Sequence, residues 1–206
     1  MMEDKKSIEK NIGIVLLAAG ESIRLGRPKQ LLPYRKQTLL NHCLQIARTS
    51  DGNPIVVVLG AQAETIKKEI SGNDAQIVVN ADWEEGMASS IRCGIKELVR
   101  IDPLVEGALL MVCDQPHVTS SLINNLLTTH RKTRRPIIAC SYAETFGPPV
   151  LFHKTLFPEL LKLNGDVGAR SVIQQHAEAV EVIPFPEGAL DVDTEADYEK
   201  IISAGK

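Results

Sequence analysis

Four short apolar runs limit what this chain can become: residues 12–17, 54–59, 107–112 and 136–141, all rich in Val, Ile and Leu. Runs this short and this continuous suit strands buried on both faces, not the in–out alternation of a sheet with one wet face. Helical spacing recurs between them. Leu39, Leu40, Cys43, Ile46 and Ala47 share a face over 38–49, and Ile91, Ile95, Leu98 and Val99 share one over 88–100. A shorter helix is expected over 63–70, and another begins at Thr119 or Ser120 with Leu122, Ile123, Leu126 and Leu127 on its inner face. Strands over 76–80 and 179–183 and helices over 154–163, 167–176 and 194–204 complete the pattern. Strand and helix in alternation predict an α/β protein, a three-layer α/β/α sandwich on a mostly parallel twisted sheet. Residues 142–153 break the rhythm: Gly147-Pro148-Pro149 precedes Val150-Leu151-Phe152, which predicts a small antiparallel excursion over the sheet.

Composition matters mainly for what it excludes. A chain of 206 residues with 44% hydrophobic and 24% charged residues buries an ordinary core, and is expected to form one domain over 1–206. The charged stretch 1–10 is expected to be a flexible leader. A formal charge of −3 leaves no electrostatic footprint for nucleic acid, and 4% aromatics leave few stacking platforms for single strands. Cys43, Cys93, Cys113 and Cys140 form no C-x-x-C pair and no zinc spacing, so buried free thiols in a reducing compartment are expected. No apolar run is long enough for a membrane span, and a cytoplasmic location is expected. The five histidines pair with no Ser or Cys nucleophile, so triad hydrolysis fits poorly.

The most informative loop follows the first strand. Leu17 leads into Ala18-Ala19-Gly20, which carries nothing larger than a methyl group, so backbone N–H groups can lie against a ligand. Arg24, Arg27 and Lys29 come next, with Gly26 and Pro28 between them. Small residues followed by clustered cations suit a polyphosphate, though a basic surface loop has the same composition. The spacing matches neither a Walker loop nor G-x-G-x-x-G.

Other polar clusters fall where strands end, the usual place for ligands in open sheets. Cys113-Asp114-Gln115-Pro116 follows the fourth strand, and Asp114 there either binds a hard metal or caps a turn. Asp191 and Asp193 alternate ahead of Thr194, as a metal-binding pair or as an acidic helix cap. Asn80 to Ser90 carries the only tryptophan, Trp83, then Gly86, Met87, Ser89 and Ser90. That block is either an anion-binding helix start or an ordinary cap. Gly165-Asp166-Val167-Gly168-Ala169-Arg170 reads unaided as Asp166 capping the helix that follows, with Arg170 in solvent.

These blocks together resemble one family. A-A-G-x-S-x-R-x-G-x-x-K, as spelled by Ala18 to Lys29, is similar to the signature of nucleotidyltransferases that attach a nucleotide to molybdopterin. The continuation R-P-K-Q-L-L-P resembles their cytidylyl branch. Asp114-Gln115-Pro116, Asp191-Val192-Asp193-Thr194, the Trp83 block, Gly147 with Pro149 and Val150, and Gly165 to Arg170 resemble further family blocks from Ile12 to Asp197. Cys113 stands where the family has glycine and Glu195 where it has proline.

The resemblance implies a Rossmann-like nucleotidyltransferase fold and transfer of CMP from CTP to molybdopterin for xanthine-dehydrogenase-type enzymes. It implies Arg24, Lys29 and Asp114 as catalytic residues. Leu17, Ala18, Ala19, Gly20, Ser22, Arg24, Lys29, Gly60 and Ser89 would bind the nucleotide, and Gln115, Pro149, Asp166 and Arg170 the acceptor. Asp114 and Asp193 would hold Mg²⁺ or Mn²⁺. The implied partners are the nucleotide, the pterin and a client molybdoenzyme. The rivals are a guanylyl or sugar-phosphate nucleotidyltransferase and a non-catalytic molybdenum-cofactor maturation chaperone.

Overall fold

The computed structural model of the protein describes residues 11–204, and the leader expected over 1–10 lies outside them. Among the described residues nine strands form two sheets: β1 (Ile12–Ala18), β2 (Pro33–Tyr34), β3 (Gln37–Thr38), β4 (Ile55–Leu59), β5 (Gln76–Val79), β6 (Gly107–Val112), β7 (Ile137–Tyr142), β8 (Thr145–His153) and β9 (Val180–Pro184). The helices are α1 (Leu39–Arg48), α2 (Ala63–Glu69), α3 (Met87–Ile101), α4 (Ser120–Thr133), α5 (Phe157–Leu160), α6 (Arg170–Gln175) and α7 (Glu195–Ala204). The main sheet runs β5-β4-β1-β6-β8-β7-β9, and β2 and β3 form a separate small ribbon.

The apolar runs became the central strands for the reason their composition suggests. Every residue of β1 and of β4 is buried, because helices cover both faces. Ile12, Ile14, Leu16 and Ala18 face one layer with α1, α2 and α4. Val15 and Leu17 face the other with α3, α5 and α6. Thr38 caps α1 by accepting from Asn41 N, and Thr119 caps α4 by accepting from Leu122 N. At the margins the strands become polar: β5 has no buried residue and β9 only one, as suits edges that need protection from pairing.

The excursion is antiparallel, as its sequence suggests, but it lies in the sheet rather than over it. β8 inserts between β6 and β7 and is antiparallel to both. Its Val150, Leu151 and Phe152 are buried there, which is where so apolar a segment gains most. The pairing with β7 slips between Ala139 and Cys140, so that Val150 is followed in register by Gly147. Pro148 and Pro149 fall in the slip, since neither has an N–H to give a ladder. The helices expected over 154–163 and 167–176 are real but shorter.

From β1 the sheet grows to β4 on one side and to β6 on the other, so β1 is the switch point where a crevice opens at the carboxyl edge. A third apolar cluster sits beside that crevice: Leu25, Leu32, Tyr34, Leu39, Val192 and Ile201. It fastens the loop after β1 to the segment leading into α7. Segments about 170 residues apart in sequence are thereby brought to one place.

Candidate active site

The loop after β1 is built inward from Gln30, to which the sequence alone assigns no role. Gln30 is 1% exposed, and its Nε2 donates to Ala18 O at 2.8 Å and Gly20 O at 2.9 Å. The small-residue turn is therefore clamped from behind. Ser22 Oγ accepts from Lys29 N at 3.1 Å, folding the loop back on itself. Gln30 sits in the run R-P-K-Q-L-L-P, but no local periodicity marks it as buried.

Folding back brings the charges together. Lys29 Nζ lies 2.9 Å from Asp114 Oδ2 and 2.7 Å from Asp193 Oδ1, with its side chain 12% exposed. Arg24 reaches Asp193 Oδ2 at 2.7 Å from a position largely in solvent. Burial lowers the Lys29 pKa, but Asp114 and Asp193 outweigh it and hold the ammonium well above its ordinary range. Burial raises Asp193, yet Lys29 and Arg24 leave it below the usual carboxylate value. Asp191 is raised, by burial first and then by the charges of Asp114 and Asp193. It lies within their field but stays exposed. Arg27, the third loop cation, turns away: it pairs with Glu195 at 2.7 Å and lies 5.6 Å from the Tyr198 ring centroid.

A cavity of about 1110 Å³ opens over this edge. Leu17, Ala18, Ala19, Gly20, Ser22, Arg24 and Lys29 line it, together with Gln30, Asp114 and Asp193. Two residues expected on the nucleotide lie behind its wall. Gly60 packs under Trp83 and the Ala19 carbonyl. Ser89 is turned away, its Oγ donating to Gly86 O at 2.8 Å and accepting from Asn80 Nδ2 at 2.8 Å. The neighbouring Ser90 lines the cavity instead, its Oγ accepting from Asn80 at 3.1 Å. Cys113 also reaches the wall, but burial and then Asp114 push its thiol up to about 12, so it remains protonated.

The opposite wall is the start of α3. Asp166 stands there, yet it does not cap the helix that follows it. Its Oδ1 accepts from Met87 N at 3.5 Å, and the neighbouring Gly165 O accepts from Ala88 N at 3.2 Å. Gly86 makes this contact possible, since at φ 110° it holds a conformation that side chains resist and a Cβ there would run into the Asp166 backbone. Glu85 locks the join by pairing with Arg92 at 2.6 Å and accepting from Gly165 N at 3.3 Å.

The other residues assigned to the acceptor lie outside the cavity wall. Gln115 is 4% exposed, Pro149 is buried, and Arg170 is exposed with Nε donating to Phe146 O at 3.3 Å. All three belong to the β7–β9 side of Asp114.

Two carboxylates converging on one ammonium are hard oxygen donors already arranged around a positive charge. Among the described residues no group of three or more His, Cys, Asp or Glu forms a metal cage. Two carboxylates suit Mg²⁺ or Mn²⁺, which take one or two protein carboxylates plus substrate phosphates. The oxygen donors of Asp114 and Asp193 are of the kind such an ion takes.

Comparison with known proteins agrees with this architecture. The MobA-like NTP transferase domain matches residues 14–180, and the chain belongs to that family. It is a nucleotidyltransferase. Among curated relatives, Nicotine blue oxidoreductase of Paenarthrobacter nicotinovorans is 33% identical over 87% of this chain and 91% of its own length. Purine catabolism protein PucB of Bacillus subtilis is 26% identical over 91% and 94%. Among solved structures, Rv0371c from Mycobacterium tuberculosis is 34% identical with a TM-score of 0.82, covering 94% of this chain and 98% of that one. A second structure of Rv0371c is a complex with manganese, 30% identical with a TM-score of 0.77 and the same coverage.

Proposed function

We propose that the protein transfers CMP from CTP to the terminal phosphate of molybdopterin, giving molybdopterin cytosine dinucleotide and pyrophosphate. The observation that carries this reading is Lys29 Nζ held between Asp114 and Asp193 at the switch point of the sheet, with Arg24 on Asp193. The acceptor is a phosphate monoester with a second pKa near 6, so it is mostly dianionic at neutral pH and needs no general base. Among the described residues no histidine lines the cavity, which suits that chemistry.

An acceptor phosphate oxygen forms the new bond to the α-phosphorus, and the bond to the oxygen bridging toward the β-phosphorus breaks. The residues position two anions and stabilise the charge that builds on the departing pyrophosphate. Lys29 and Arg24 carry the positive charge for the β- and γ-phosphates, and the clamped Ala18-Ala19-Gly20 turn presents backbone groups to the base. A divalent ion on Asp114 and Asp193, when bound, supplies Lewis-acid polarisation of the phosphate. The product would serve a molybdoenzyme of the xanthine dehydrogenase type, a reading the purine-catabolism relative supports.

The test is pyrophosphate release with molybdopterin and each of CTP, GTP, ATP and UTP, alongside thermal shifts with and without Mg²⁺. A nucleotide at about 100 times its Kd should add roughly 2.7 kcal/mol of stability. Turnover with CTP alone supports the cytidylyl reading, and turnover with GTP moves it to guanylyl transfer. Binding without pyrophosphate release supports a maturation chaperone. A second reading comes from the relative named an oxidoreductase. Oxidoreductase turnover untouched by Asp114→Asn would favour it.

A further inference from the structure

The turn that carries Asp114 is held at every carbonyl from Cys113 to Pro116. Val192 N donates to Asp114 O at 3.0 Å, and Val118 N donates to Gln115 O at 3.3 Å. The other two donors are neighbouring side chains of α1. Cys43 Sγ donates to Cys113 O at 3.5 Å, and His42 Nε2 donates to Pro116 O at 3.0 Å. A carbonyl can only accept, so His42 carries its proton on Nε2. The helix therefore grips the turn on both sides of Asp114. A thiol is a weak donor and an imidazole N–H a full one, so His42 is the stronger of the two holds.

His42 also reaches the other side of the charge cluster. It is 8% exposed, and its ring lies edge-on to Tyr34 with centroids 4.7 Å apart. Tyr34 belongs to the apolar cluster that fastens the Lys29 loop to the Asp193 segment. One side chain thus touches both supports, the Asp114 turn by a hydrogen bond and the Lys29 loop by packing. Burial holds the imidazole below its ordinary pKa, so at neutral pH it donates without adding a charge beside Lys29.

The support matters because the two partners of the 2.9 Å Lys29–Asp114 pair differ in reach. Lysine has a flexible four-carbon stem that can follow its partner. Aspartate is short, so its carboxylate goes where its backbone goes. We propose that His42 is a positioning residue for Asp114, its N–H on Pro116 setting the direction in which that carboxylate meets Lys29 and a divalent cation. The inference rests on the transferase reading for what the cation then does.

Its test separates the donor from the ring. His42→Phe keeps an aromatic ring against Tyr34 and removes the donor. His42→Gln removes the ring and places an amide N–H where Nε2 stands. Mn²⁺ affinity is read from the EPR signal of the free ion, for the protein alone and with CTP. Pyrophosphate release is followed over a Mg²⁺ series on the same samples. His42→Phe should bind Mn²⁺ about ten-fold more weakly and need correspondingly more Mg²⁺ for half-maximal rate, as when the support of a metal ligand is lost. The KM for CTP at saturating Mg²⁺ should hold, and His42→Gln should stay close to wild type throughout. Wild-type Mn²⁺ affinity in His42→Phe overturns the proposal. An equal loss in His42→Gln also overturns it, since packing on Tyr34 would then be the whole role. If His42→Phe does not fold, His42→Asn replaces it, its amide being too short to reach Pro116, and unchanged affinity there overturns the proposal as well. So does wild-type protein that binds no Mn²⁺. Failure of the transferase reading is seen separately, as wild-type protein that binds Mn²⁺ but releases no pyrophosphate with any nucleotide.

Discussion

The two halves of the carboxyl edge solve different electrostatic problems. On the β1–β6 half every key charge has a partner: Lys29 holds Asp114 and Asp193, and Arg24 holds Asp193. On the β7–β9 half, among the described residues, the Arg170 guanidinium meets a backbone carbonyl and the Tyr142 phenol meets the Gln115 amide, neither of them a charge. The first half keeps flexible cations in place through mutual attraction, which is how a site is preorganised for developing charge. The second half keeps a rigid aromatic side chain in place through shape.

Breaking the paired half should have the largest effect. Lys29→Ala and Asp114→Asn should each lower kcat/KM by roughly 10²- to 10⁴-fold, or ~3–5 kcal/mol of lost charge stabilisation. Near wild-type turnover in either would remove the assignment.

A next, smaller effect tests how the paired half is held. Ile201 is 5% exposed in the cluster that joins the Lys29 loop to the Asp193 segment. Ile201→Ala should cost about 2–3 kcal/mol in urea unfolding and weaken CTP binding as well. Lost stability with intact nucleotide affinity would show that the cluster is only core.

Smaller still is the clasp between the α3 start and the Asp166 loop. Hydrogen bonding to Arg92, then to Gly165 N, holds the Glu85 carboxyl down at about 2, against an ordinary 4.5. A depressed carboxyl contributes fully above its unfolded value and loses that contribution as pH falls toward the folded one. Glu85→Gln should therefore be less stable than wild type near neutrality, with the gap closing between pH 4.5 and about 2 in acid unfolding. A gap that stays constant over that range would contradict the clasp.

Arg27→Ala should do least. Its exposed pair with Glu195 is worth at most about 1 kcal/mol, and turnover should hold because the guanidinium faces away from the cavity. A loss comparable with that of Lys29→Ala would mean the loop rearranges around substrate.

Some of this is not legible in the sequence, for identifiable reasons. Arg27 and Lys29 have similar chemistry two residues apart, and nothing local says that one meets Tyr198 and Glu195 while the other meets two aspartates. Ser89 and Ser90 differ by about 100° around a helix, so the choice between them needs the helix rotation, which packing on β1 and β4 sets. Local capping is the common case, so the sequence alone suggests that Asp166 caps its own helix, whereas the N–H that donates to it is 79 residues away. The prolines mark the excursion as antiparallel, yet its seat between β6 and β7 depends on which sheet edge is open to it.

By itself the sequence determined the alternation of buried strands and amphipathic helices, the small-residue turn with its cations, and the acidic pairs at strand ends. Those features are written in residues close together, where periodicity and steric size act directly. Only the tertiary structure decided which charges meet, which serine faces the cavity, and that His42 holds the Pro116 carbonyl. Such contacts join residues tens to well over a hundred positions apart. They form only after the two hydrophobic layers and the small cluster at Ile201 have fixed where each loop can lie.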